Sequence, residues 1–175
     1  MNNLKLKYKP LHFDTASPKF GTSQSACFDI CAYAGKDADF INAWTSDSKN
    51  IKLMPTRDGD GSKHYLIPPY SRVLVPTGLI FDIPEGYSVR IHARSGLATK
   101  GGLTMSNAEG IVDSDYINEV FISVYNISDV YLKINHGDRI AQGELVSLLR
   151  YDIEATNDEI SQKTDRKGGF GSTGI

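Results

Sequence analysis

The sequence predicts an all-β fold, a sandwich or jelly roll assembled from many short strands. Three observations carry that prediction. Apolar and polar residues alternate with a period of two along several stretches, and helical periodicity is scarce. Turn-forming residues interrupt these stretches at short intervals: Pro68-Pro69, Pro76, Pro84-Glu85-Gly86 and His136-Gly137-Asp138. The 175 residues, 40% hydrophobic and 23% charged, suit one domain large enough to bury a core without disulfides.

Taken in order, residues 4–8 alternate Leu and Lys and read as a first strand. Residues 26–31 form an apolar run broken by a single acid, Asp29. Residues 35–63 are rich in Asp, Asn, Ser and Gly and read as an inserted excursion. Within it, 51–54 and 64–67 are expected to pair as a hairpin around 57–61, with Trp44, the single tryptophan, anchoring the excursion to the body. Short strands are expected at 72–75 and 79–83. In residues 87–93, Tyr87, Val89, Ile91 and Ala93 face one way and Ser88, Arg90 and His92 the other, the pattern of a half-buried strand. Residues 95–100 suit one helical turn. Residues 120–125 are apolar on both faces, which predicts a central strand. Strands at 130–134 and 145–151 complete the body. Residues 154–167 are polar and without period, and a glycine-rich run follows. The expected organisation is one β domain over 1–160, with the insertion at about 35–63, and a flexible arm over 161–175.

Several function classes drop out. A net charge of −2 gives no general grip on nucleic acid or on an acidic membrane. Residues 1–9 contain no long apolar run, so neither a signal peptide nor a membrane span is expected, and the cytoplasm (a host's, for a viral protein) is the expected compartment. Cys27 and Cys31 on one strand would stand roughly 13 Å apart, too far for a disulfide. Two thiols without a His-x-His or His-Glu-x-x-His pattern make no zinc site, so both read as small buried apolar residues. The run from Gly169 to Gly174 fits G-x-G-x-x-G, but no helix and no acidic residue can follow it, which rejects a dinucleotide-binding reading. Asp58-Gly59-Asp60-Gly61 resembles a calcium loop, yet Pro69 stands where the loop's last carboxylate belongs, so it reads as a polar turn.

Five segments carry chemistry. In Ala26-Cys27-Phe28-Asp29-Ile30, a lone carboxylate on a strand needs a cation, and a structural salt bridge is the first reading. In Ala93-Arg94-Ser95-Gly96-Leu97-Ala98, a forked cation, a hydroxyl and free N–H groups at a helix start suit an anion as well as they suit a simple cap. The segment from Asn107 to Tyr116 holds Gly110 on a tight path, Asp113 beside a turn, and the flat ring of Tyr116; a carboxylate there can take a proton from water, or the residues serve turn chemistry alone. Gly137-Asp138-Arg139-Ile140-Ala141-Gln142 is a turn entering a strand; Asp138 and Arg139 read as a structural pair and Gln142 as a possible phosphate donor. The tail joins Arg166 and Lys167 to Gly168-Gly169-Phe170-Gly171-Ser172-Thr173-Gly174, a nest of N–H groups with hydroxyls, cations and one aromatic ring.

In this order the five segments resemble the five motifs of the trimeric dUTP pyrophosphatase family, over nearly the whole chain from Ser25 to Gly174. The resemblance implies a jelly-roll-like subunit, a homotrimer with active sites at subunit contacts, a Mg²⁺ cofactor, and cleavage of dUTP to dUMP and pyrophosphate. It implies that Asp113 activates the water attacking the α-phosphorus and that Asp29 holds Mg²⁺ through water. Arg94, Ser95, Gly96 and Gln142 would contact phosphates. Asn107, Gly110 and Ile111 would read uracil in a hairpin, and Tyr116 would pack under the deoxyribose. Phe170 and Gly171 would cover the base, with Ser172 and Thr173 at the γ-phosphate.

The sequence departs from the family pattern in three places. Ile117-Asn118 replace the usual Arg-Gly after the motif tyrosine, and Asp165 holds the place of the tail arginine, leaving its role to Arg166 or Lys167. The 35–63 stretch is longer than usual and suits a trimer contact, a further protein partner or an inert loop. A dCTP deaminase-like enzyme would need a Glu in the strand at 120–125, which has no acid. A nucleotide-binding regulator would not need Asp29 and Asp113, and both are present.

Overall fold

A computed structural model describes residues 4–165 and 168. It contains fifteen strands and one short helix: β1 (Lys7–Pro10), β2 (Lys19–Phe20), β3 (Phe28–Cys31), β4 (Ile41–Trp44), β5 (Asn50–Leu53), β6 (Thr56–Arg57), β7 (Lys63–Ile67), β8 (Arg72–Pro76), β9 (Leu79–Asp82), β10 (Tyr87–Ala93), α1 (Ser95–Lys100), β11 (Leu103–Met105), β12 (Glu109–Val112), β13 (Phe121–Asn126), β14 (Leu132–Asn135) and β15 (Arg139–Ser147). Among these residues no helix is long and apolar enough to cross a membrane.

Two five-stranded sheets, ordered β12-β10-β15-β3-β2 and β11-β13-β8-β4-β5, carry the core of this jelly-roll-like fold. A three-stranded sheet, β14-β7-β6, and the pair β1-β9 complete it, and every pairing is antiparallel. The period-two pattern explains the layers, because one face of each strand is apolar. Ile30, Val89, Ile91 and Ala141 come from the first sheet, and Val73, Val75, Ile122 and Val124 from the second, into one buried cluster.

The strand at 87–93 and the helical turn at 95–100 fall where the sequence predicts them. Elsewhere pairing overrides local pattern. The expected hairpin between 51–54 and 64–67 does not form: β5 pairs with β4, while β7 pairs with β6 and β14. The excursion at 35–63 is therefore no simple loop, since β4 joins β8 and buries Ile41 and Ala43 in the core. Trp44 lies at that junction, opposite Arg72 of β8. The first strand forms at Lys7–Pro10 rather than 4–8 because its partner is β9. The last strand begins at Arg139 and ends at Ser147, leaving Leu149 and Tyr151 exposed. β13 has strands on both sides, but only one of its faces is buried in a single chain, and Phe121 on the other is 45% exposed. Cys27 and Cys31 are free thiols of intermediate exposure rather than buried, because they share the outer face with Asp29.

Candidate active site

Register brings three of the five segments together. Asp29 on β3 stands opposite Gln142 on β15, which stands opposite His92 on β10, which stands opposite Glu109 on β12. Directly paired residues point to the same face of a sheet. These four therefore form one polar row, backed by the buried Ile30, Ala141 and Ile91.

Arg94 enters the row from the end of β10. It precedes α1 with extended backbone (φ −88°, ψ 125°), and its side chain makes no cap bond. Its Nε lies 3.2 Å from Asp29 Oδ1, and its NH1 donates to the Arg139 carbonyl at 2.9 Å. Arg139 NH1 donates to Asp29 Oδ2 at 3.1 Å. Each carboxylate oxygen thus has its own guanidinium, which offsets the cost of a side chain only 19% exposed. Gln142 Nε2 donates to the Ala93 carbonyl at 3.2 Å, which holds the amide beside the same strand end. Ser95 and Gly96 are exposed, and a Cβ added at Gly96 would meet nothing within 4 Å, so a ligand can approach the backbone there. Asp29, Arg139, Cys31, Lys19 and Gly137 line a cavity of about 400 Å³. Burial, then the Asp29 charge, pushes the Cys31 thiol up, and burial followed by Glu144 does the same for Cys27. Both cysteines are accordingly poor nucleophiles.

Beyond Glu109, which belongs to the row, the rest of the third segment makes a separate group. Asp113 is exposed just beyond β12, in a turn where its carbonyl accepts the Tyr116 N–H at 3.2 Å. The Tyr116 hydroxyl donates to the Glu119 carbonyl at 2.8 Å, which fixes the ring. Ile111, Asp113, Tyr116, Leu74 and Phe121 line a cavity of about 300 Å³. Asn107 lies at the turn before β12, and Gly110 lies on β12 opposite Ile91. The expected hairpin is here a corner between the two sheets, because β11 pairs with β13 and β12 with β10. The corner is sharp: Ala108 has φ 59°, and the Glu109 N–H reaches the Asn107 carbonyl at 2.6 Å. Gly110 sits in a close approach: a Cβ there would lie 3.1 Å from Ile91 Cβ, so its neighbours would have to give way.

Among the described residues no hydrogen bond or ion pair joins Asp113 or Tyr116 to the Asp29–Arg94–Gln142 group. No group of three or more His, Cys, Asp or Glu among them could hold a metal ion unaided. Arg166, Phe170, Gly171, Ser172 and Thr173 lie outside the described residues. Sequence reasoning missed Arg139. It does not pair with Asp138, whose Oδ2 instead accepts the Asn135 backbone N–H at 2.7 Å. Only the adjacency of β3 and β15 reveals its true partner.

The fold defines a small all-β protein with a polar row across one sheet and a guanidinium-flanked carboxylate at its end. The dUTPase family profile matches residues 61–174. A deoxyuridine 5'-triphosphate nucleotidohydrolase of Brucella melitensis is 40% identical over 148 residues, 83% of this chain and 85% of that protein. One from Finegoldia magna is 46% identical over 108 residues, 61% of this chain and 73% of that protein. The chain belongs to the dUTPase family, whose curated relatives are dUTP diphosphatases. Among solved structures, the Staphylococcus bacteriophage 80alpha dUTPase with dUPNHPP superposes with TM-score 0.73 at 19% identity, covering 98% of this chain and 99% of that one. A mutant dUTPase from phage phi11 of S. aureus, described with a structural Mg(II) ion, gives TM-score 0.65 at 18% identity over 90% of this chain and 99% of that one. Both likenesses are of fold.

Proposed function

We propose that this chain cleaves dUTP to dUMP and pyrophosphate by attack of water on the α-phosphorus, as a homotrimer with sites at subunit contacts. The observation that carries the reading is the convergence of Arg94, Gln142 and Asp29 at one end of the polar row, beside the open start of α1. Arg94 and Gln142 offer donors to phosphate oxygens, and Ser95 and Gly96 add a hydroxyl and accessible N–H groups. Asp113 takes a proton from the attacking water. Tyr116, with its ring fixed through Glu119, packs against the deoxyribose and leaves no space for a 2′-hydroxyl. Asn107 and the backbone of Gly110 and Ile111 select uracil. They exclude the thymine methyl by shape and cytosine by the penalty of unmatched hydrogen bonds. Phe170, Gly171, Ser172 and Thr173, with Arg166, close over the nucleotide from the tail.

Asp29 fits a role in holding Mg²⁺ through water. Arg94 and Arg139 each engage one of its oxygens, which leaves lone pairs free to accept from coordinated waters. Mg²⁺ is commonly bound in this way, by one or two carboxylates, retained waters and substrate phosphates rather than a protein cage. When bound, it neutralises charge on the triphosphate. Assembly from several copies is supported by the separation of the Asp113 group from the Asp29 group. Exposed Ile111, Ile117 and Phe121 beside Asp113 suit burial against a neighbour.

The test is to incubate the protein with Mg²⁺ and separately dUTP, dCTP, UTP or dTTP, following pyrophosphate and base identity, with light scattering for mass. Pyrophosphate from dUTP alone, by a trimer, is expected. Ammonia from dCTP, turnover of UTP, or a monomer would overturn the corresponding part of the reading.

A further inference from the structure

His92 stands outside the nucleotide-contacting set, yet it occupies the middle of the row that joins Gln142 to Glu109. Its ring sits between carboxylates from two other strands. Nε2 lies 3.1 Å from Glu144 Oε1 on β15, and Nδ1 lies 3.7 Å from Glu109 Oε1 on β12. Glu109 has a second partner, Arg90 NH1, 3.0 Å from its Oε2. A neutral imidazole has one donor and one acceptor nitrogen. With Nε2–H directed at Glu144, a neutral ring would turn the Nδ1 lone pair towards Glu109. With both nitrogens protonated, each N–H faces an acceptor, and Arg90, His92, Glu109 and Glu144 balance two charges against two.

Glu109 belongs to the sharp corner that carries Asn107, Gly110 and Ile111. Residues 106–109 are exposed, so little side-chain packing fixes the outer part of this corner. We infer that His92 is a positioning residue for base selection: bridging the two carboxylates, it ties the corner, through Glu109, to β15 and Glu144, and so sets the clearance around pyrimidine C5. The inference rests on the reading of Asn107, Gly110 and Ile111 as the uracil-selecting residues. Uracil and thymine differ there by one methyl, and discrimination by shape depends on how rigidly the wall is held.

The test reads the ratio of kcat/KM for dUTP over dTTP. His92→Gln and Glu109→Gln are each expected to lower the ratio about fivefold while kcat for dUTP changes by less than about twofold. His92→Arg keeps a permanent cation and should retain the preference. The charged groups facing the ring are Glu109 from β12 and Glu144 from β15; Arg90 on its own strand faces Glu109, and the Cys27 thiol lies near Glu144. Gly110→Ala is the control, because its new Cβ would stand 3.1 Å from Ile91 Cβ, inside the corner itself. If Gly110→Ala moves the ratio but His92→Gln and Glu109→Gln do not, His92 has no positioning role. If none of the three moves it, the reading of the corner as the base site fails, and this inference with it.

Discussion

Asp29 shows how a residue's surroundings decide its chemistry. A lone acid in an apolar run demands a cation, and that demand is legible in the sequence. The identity of the cations is not, because Arg94 and Arg139 reach it from strand ends brought close only by folding. Arg139→Gln should lower stability by about 1 kcal/mol or less, since its side chain is 57% exposed and such pairs contribute little. Its larger expected effect is on dUTP binding in Mg²⁺, weakened about three- to tenfold as Asp29 loses one of two anchors; calorimetric titration measures it. Asp113 is different, being exposed and, among the described residues, without a side-chain partner that would explain it structurally. Asp113→Asn should retain affinity for a non-hydrolysable dUTP analogue within about threefold while losing at least about 100-fold in kcat. Full turnover in that variant would remove Asp113 as the base.

At the scale of elements, periodicity located strands better than it located their neighbours. The alternation of β10 specifies its faces directly, whereas a two-residue strand such as β6 has no period to read. The polar composition of 35–63 suggested an excursion, yet four strands begin or lie wholly within it: β4, β5, β6 and β7. Ile41 and Ala43 alternate with the exposed Asn42, a signal too short to outweigh the surrounding Asp, Asn and Ser. Ile41→Ala should therefore behave as a core substitution, lowering unfolding free energy by about 2–4 kcal/mol in urea titrations. A loss under 0.5 kcal/mol, on the order of an exposed site, would mean that β4 does not belong to the core. The corner at Asn107 was legible as a tight turn from Gly110, but not as a crossing between sheets, because local pattern cannot distinguish the two. The tail belongs to the same scale. Truncation before Gly168 should reduce dUTP turnover and leave the mass by light scattering that of the full-length assembly state, whatever its order; an unchanged rate would remove the tail from the site.

For the molecule as a whole, the fold class follows from composition and punctuation, and the packing of its sheets sets its tolerance of pH. Burial pushes the Tyr33 phenol up to about 12 and the wholly buried Tyr65 higher still. A phenol whose folded pKa is raised adds stability that is fully present below its ordinary value of about 10 and is lost as pH rises through the folded value. Phenolate absorbance should therefore show Tyr33 and Tyr65 ionising only together with unfolding, above pH 10; a smooth titration of all nine tyrosines in a folded protein would contradict this. The same long-range pairing governs how the protein is made. Asp29 and Arg139 are 110 residues apart, and β3 joins the body of its sheet through β15, with only the two-residue β2 on its other side. On the ribosome, the sheet that holds β3 must wait with open edges until Arg139 and the strand it begins have emerged. The exposure of those open edges to chaperones and proteases therefore lasts until β15 is in place.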